Sequence, residues 1–82
     1  MDEANMTKFR YGVKIGLMRA GKNQQWLCRE VNRRTGLYID SAYMSRIIAG
    51  ERNPPRILYA ICEILAELGY PLSREAMLRE GE

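Results

Sequence analysis

Residues 55–68, PRILYAICEILAEL, place Ile57, Leu58, Ile61, Cys62, Ile64, Leu65 and Leu68 at helical spacing, so apolar side chains point almost all the way round one helix. Such a helix is stable in water only when other helices wrap it, and it becomes the core of its domain. Pro55 suits a first-turn position, where the missing N–H is no loss, and Gly69 with Pro71 ends the segment. A chain of 82 residues has room for one domain. Chains of this size bury only about 60–65% of their unfolded surface, so the core has to be compact and well packed.

The remaining patterns supply the covering helices. Phe9, Val13, Leu17 and Ala20 form one stripe over residues 7–20, with Thr7 as an N-cap and Gly21 as a stop. Gly12 and Gly16 within it each cost about 1 kcal/mol relative to Ala. They share a face, so close approach of another element is the expected compensation, and Lys14 between them excludes a membrane dimer motif. A second helix follows Asn23 through QQWLCREVNRR, with Leu27, Cys28 and Val31 inward and Gly36 as its stop. Asp40 caps a third helix over residues 40–49, where Met44, Ile47 and Ile48 make the apolar face and Ile39 with Met44 forms a hydrophobic staple. Ser73 can cap a short fifth helix over REAMLRE, with Glu75 favourably placed for the helix dipole. Period-2 alternation is absent. The expected architecture is all-α, five helices, a single domain over residues 1–82 with 1–6 flexible and 70–82 holding the short C-terminal helix.

Charge is segregated along the chain. Residues 8–56 hold eleven Lys/Arg and three Asp/Glu, a balance of +8, while residues 1–7 carry −2 and residues 57–82 carry −3. One basic side is the electrostatic footprint of a nucleic-acid binder. With no histidine, His-based catalysis and Cys/His zinc sites are excluded. Cys28 and Cys62 lack CxxC spacing and read as small core residues of a reducing compartment. Gly-rich phosphate loops and clustered carboxylates are missing too, so neither an enzyme nor a cofactor is expected. No apolar run approaches the ~18 residues of a membrane span, and MDEANM lacks the form of a signal peptide, so a cytoplasmic protein with no membrane partner is expected.

The outward face of the third helix carries Ala42, Ser45, Arg46 and Ala49. A helix facing only water normally shows Glu and Lys there. Two helices joined tightly, the second with a bare outward face and a basic turn after it, follow helix-turn-helix logic. The stretch NQQWLCREV…IDSAYMSRIIAGERNPP resembles the Cro/repressor-type, or XRE-like, helix-turn-helix family through Gln24, Leu27, Val31, Ile39, Met44, Ser45, Ile47, Gly50, Arg52 and Pro54. The likeness covers residues 8–69. It departs from the family between Val31 and Asp40, where eight residues, NRRTGLYI, stand in place of about two. Versions of this insert look similar to those in small regulators of phages and integrative elements. The insert is expected to extend helix 2 by about one and a half turns.

The resemblance implies a repressor-like fold and a transcription regulator that binds double-stranded DNA. In that docking mode the third helix enters the major groove, a space about 12 Å wide that admits a helix with short outward side chains. Ser41, Ala42, Ser45 and Arg46 are the base-reading candidates, Arg46 being long enough for bidentate bonds to guanine; a surface salt bridge from Arg46 to Asp40 or Glu51 is the competing use. Lys22, Asn23 and Gln24 at the start of helix 2, and Arg52 and Asn53 beyond helix 3, are the phosphate-binding candidates, with Arg33 and Arg34 as weaker additions. Trp26 is expected to pack under LYI of the insert or else to serve an interface. A homodimer through Leu72, Met77 and Leu78 of the fifth helix is one expectation, closure of the core by the same residues is another, and an antitoxin or other protein-interaction module with a protein partner is the alternative reading of function. Operator, activation or repression, and dimer interface are not written in the sequence.

Overall fold

The computed structural model describes residues 3–72, with side chains from Lys8 onward. Four helices make up the described residues: α1 (Glu3–Arg19), α2 (Gln24–Thr35), α3 (Ser41–Ala49) and α4 (Pro55–Glu67), with no strand among them. The fifth helix expected from Ser73 lies outside the described residues, as do Met77 and Leu78. Helix α1 begins four residues before Thr7. Glu3, Ala4 and Met6 are good helix formers with no breaker among them, so the helix runs through Thr7 instead of starting at it. No described helix is long and apolar enough to cross a membrane.

Helix α2 packs along α4, and α3 rests on α1 and α2. Between them lies one core: Phe9, Val13 and Leu17 from α1, Leu27, Cys28 and Val31 from α2, Met44, Ile47 and Ile48 from α3, and Ile57, Ala60, Ile61, Ile64 and Leu65 from α4. Helix α4 is less uniformly buried than its composition suggested. Arg56, Tyr59, Glu63 and Glu67 recur on one exposed stripe, and Cys62, Leu58 and Leu68 are only half-buried. The four-helix packing covers α4 on one side and leaves the other to solvent.

The close approach expected at Gly12 and Gly16 is present. The chain beyond α4 turns back over α1, so that a Cβ on Gly16 would lie 3.1 Å from Leu65 Cδ2 and 3.3 Å from Tyr70 Cβ, and one on Gly12 would lie 2.5 Å from Leu72 Cδ2. Glycine here trades helix propensity for close contact between α1 and the end of α4 with the segment that follows it.

Local chemistry fixes the helix ends. Asn23 Oδ1 accepts from the Trp26 N–H at 2.8 Å, and Asp40 Oδ1 accepts from the Tyr43 N–H at 2.8 Å, so both α2 and α3 are capped as their sequences require. Helix α2 runs four residues past Val31, a little over one turn, shorter than the extension expected. Gly36 stops it in the left-handed conformation at φ 74° and donates its N–H to the Asn32 carbonyl at 2.9 Å.

The rest of the insert is tied down by α2 itself. The Asn32 amide pairs with both backbone groups of Ile39: Nδ2 donates to the Ile39 carbonyl at 3.0 Å, and Oδ1 accepts from the Ile39 N–H at 2.9 Å. Cys28 Sγ donates to the same carbonyl at 3.1 Å, and the Leu37 N–H finds Thr35 Oγ1 at 3.1 Å. Burial, with Asp40 nearby, pushes the Cys28 thiol up and keeps it a protonated donor. Ile39 is thereby seated in the core while Leu37 and Tyr38 stay outside, 39% and 86% exposed. The insert therefore folds toward Cys28 and Asn32, on the other side of α2 from Trp26. Trp26 packs half-buried against the core, with Lys22 Nζ 5.0 Å from its ring centre. The expected cover of Trp26 by LYI is replaced by this arrangement, because only Ile39 of the three turns inward.

Two substitutions test this packing. Leu65→Ala removes a fully buried side chain and should lower stability by about 2–5 kcal/mol in urea unfolding. Asn32→Ala strips the partner from a buried N–H and should cost about 1–3 kcal/mol; an unchanged unfolding midpoint would contradict the role given to the amide.

Candidate nucleic-acid interface

The outward face of α3 is held in place by Gln24, the first residue of α2. Its Nε2 donates to Ser45 Oγ at 2.7 Å and lies 3.4 Å from the Ser41 carbonyl. Ser45 thus accepts from Gln24 and keeps its own O–H for an outside acceptor. Gln24 was expected to hold a phosphate, but its side-chain amide is turned to α3. The backbone N–H groups of Gln24 and Gln25, the first two residues after the Asn23 cap, have no intrahelical acceptor.

Ser41, Ala42, Ser45 and Arg46 are all exposed on α3. The Arg46 guanidinium makes no hydrogen bond or ion pair among the described residues, so the competing salt bridge to Asp40 or Glu51 is not formed. Beside this face lies an open cleft of about 510 Å³ between α1 and α3. Arg10 and Lys14 line it from α1, Gln24 from α2, and Ala42, Ser45, Arg46 and Ala49 from α3, with Glu51 at its edge. A neighbouring hollow of about 310 Å³ runs from Lys14 past Met18 to Lys22, Asn23 and Gln24. The two share Lys14 and Gln24, so Lys14 and Lys22 continue the cationic lining from the cleft beside α3 toward the start of α2.

Lys22 and Asn23 both line this second hollow, where Lys22 also covers Trp26 and Asn23 Oδ1 serves the α2 cap. Arg52 and Asn53 are exposed in the turn after Gly50 and line neither cavity; Arg52 Nη1 lies 3.4 Å from the Glu51 carbonyl. The structure separates them from the cleft and leaves them at the far end of α3.

Arg33 and Arg34 are engaged elsewhere. Arg33 Nη2 lies 2.7 Å from Glu30 Oε1. Arg34 makes a two-pronged contact with Glu67 of α4, with Nη1 at 2.9 Å from Oε2, and its Nε lies 3.5 Å from Glu30. The hydrogen bond from Arg33 holds the Glu30 carboxyl below its ordinary range, and that from Arg34 does the same for Glu67. Arg34 thus joins α2 to α4, while Arg33 pairs within α2.

Sequence reasoning missed Arg10 and Lys14. Like charges at i, i+4 weaken an isolated helix, and neither residue has an acid three or four positions away. That unrelieved pair was the available signal. Among the described residues no group of three or more Cys, Asp or Glu could hold a metal ion. Neither protein-family models, nor curated proteins, nor solved structures match this chain.

The α2–α4 ion pairs give a pH dependence with a definite sign. Carboxyls with depressed folded-state values add stability above their ordinary value of 4.5, and that stability is withdrawn as pH falls through the depressed values. The urea midpoint of the unsubstituted chain should exceed that of Glu67→Gln at neutral pH, and the gap should close on acidification. A gap that is constant with pH would show that the Arg34–Glu67 contact adds nothing.

Proposed function

We propose that this chain is a sequence-specific double-stranded DNA-binding regulator with a repressor-like helix-turn-helix fold of five helices, acting in the cytoplasm without enzyme activity. The observation that carries the reading is Arg46: an arginine without a protein partner among the described residues, on a helix face otherwise made of Ser41, Ala42, Ser45 and Ala49, beside a cleft lined by Arg10 and Lys14. Helix α3 enters the major groove. Its short side chains let the backbone come close, the Ser45 hydroxyl and the Ala42 methyl meet base edges, and Arg46 pairs with guanine O6 and N7. Arg10, Lys14 and Lys22, the first-turn N–H groups of α2 and Asn23 take phosphates on one side. Arg52 and Asn53 take them beyond the end of α3. Phosphate contacts set register and base contacts set sequence.

A second reading has one observation in its favour. Tyr11, Ile15 and Met18 recur at helical spacing along α1 and are 61%, 41% and 68% exposed. An apolar strip of this kind suits a protein partner, which would make the chain an antitoxin-like or other interaction module, or a homodimer, on the same fold.

Selection of bound sequences from random duplex DNA tests the first reading and yields the preferred site. On that site Arg46→Ala should cost about 1–3 kcal/mol and relax preference at one base pair. Lys14→Ala and Arg52→Ala should weaken binding to all duplexes alike and lower the salt slope by about one each. Equal losses for Arg46→Ala on the selected and a scrambled duplex would remove its base-reading role; enrichment of no sequence at all would favour the protein-partner reading.

A further inference from the structure

We infer that Tyr38 and Arg29 form a second clamp on duplex DNA, gripping the sugar–phosphate backbone beside the base pairs read by α3; this rests on the reading of α3 as the base-contacting helix. The tip of the insert and the outer side of α2 enclose a groove of about 330 Å³, lined by Gln25, Arg29, Tyr38 and Ser41 among others. Ser41 is also the first residue of α3, and its carbonyl faces Gln24. The groove therefore opens directly onto the N-terminal end of the base-reading face.

A single exposed aromatic is ordinary on a protein surface. Tyr38 differs in its setting. It is 86% exposed, yet the next residue, Ile39, is fixed to α2 through both its N–H and its carbonyl. A side chain presented from a rigid turn loses little freedom on binding. Its phenol is a hydroxyl donor on an aromatic ring, the kind of group that recurs at interfaces and on phosphate oxygens. Arg29 lies exposed in the same groove and forms no ion pair with a carboxylate among the described residues. The one acid in the groove, Asp40, is engaged through Oδ1 by the Tyr43 N–H at the α3 cap. A phosphate held there accepts from the Tyr38 hydroxyl and pairs with the Arg29 guanidinium. The insert then serves to widen the footprint on DNA.

The test compares a duplex recovered by selection, with its flanks, against the shortest duplex retaining the base pairs that α3 reads. Tyr38→Phe and Arg29→Gln should each weaken binding to the flanked duplex about ten-fold, and Arg29→Gln should lower its salt slope by about one. Both variants should bind the short duplex as the unsubstituted chain does, with unchanged melting temperatures. Binding of the flanked duplex as tightly as by the unsubstituted chain, or equal losses on both lengths, overturns the clamp while leaving the reading of α3 intact. Failure of the unsubstituted chain to bind either duplex removes that reading, and the clamp with it.

Discussion

The position of α3 depends on one amide. The eight residues between Val31 and Asp40 give the chain enough slack to present α3 at many angles, and slack of this sort costs conformational entropy when it is removed. Asn32 removes it by occupying both hydrogen-bonding groups of Ile39 from the last full turn of α2. Because its donor and acceptor lie on one planar group, the two bonds fix the approach of the backbone as well as its distance. Cys28 adds a third bond to the same carbonyl, and the Ile39 side chain drops into the core. The very next residue is the Asp40 cap, so the cap and staple that start α3 inherit that geometry. The lengthened connection is thus as well determined as a tight turn, and the outward face of α3 is a rigid surface.

Charge follows the same division of labour. Glu67 of α4, with Glu30 of α2, pairs with Arg34 and neutralises it between the two helices. Arg10 and Lys14 of α1, by contrast, form no ion pair among the described residues and converge with Arg46 around the cleft. Three cations against the single carboxylate of Glu51 leave the cleft net positive, and a positive cleft beside low-dielectric protein attracts polyanions. The modest net charge of +3 conceals this, because oppositely charged halves cancel in the sum.

Much of this was legible in the sequence because it is governed by neighbours a few residues apart. The caps at Asn23 and Asp40, the stops at Gly36 and Gly50 and the inward faces of α1 to α3 follow from periodicity and local hydrogen bonding. What escaped depended on distant residues. The exposed stripe of α4 was hidden in a composition that reads as apolar, since which side is covered is decided by how α1, α2 and α3 pack. Arg33 and Arg34 looked available until α4 brought Glu67 across. Gln24 read as a phosphate ligand, and only the distance between α2 and α3 shows its side chain turned to Ser45. The function of Asn32 was invisible for a related reason: an asparagine in a helix gives no sign that a turn seven residues on will return to it.

The central claim is that the bare face of α3 is the surface that meets DNA. Backbone amide shifts recorded by NMR, as a selected duplex is added, test it most directly. The account predicts that Ser41, Ala42, Ser45, Arg46 and the first turn of α2 shift in a saturable way, with Arg10 and Lys14 following, while Tyr59 and Glu63 on the far side of α4 stay unchanged. Shifts concentrated on Tyr11, Ile15 and Met18, or on α4, with α3 unmoved, would contradict it.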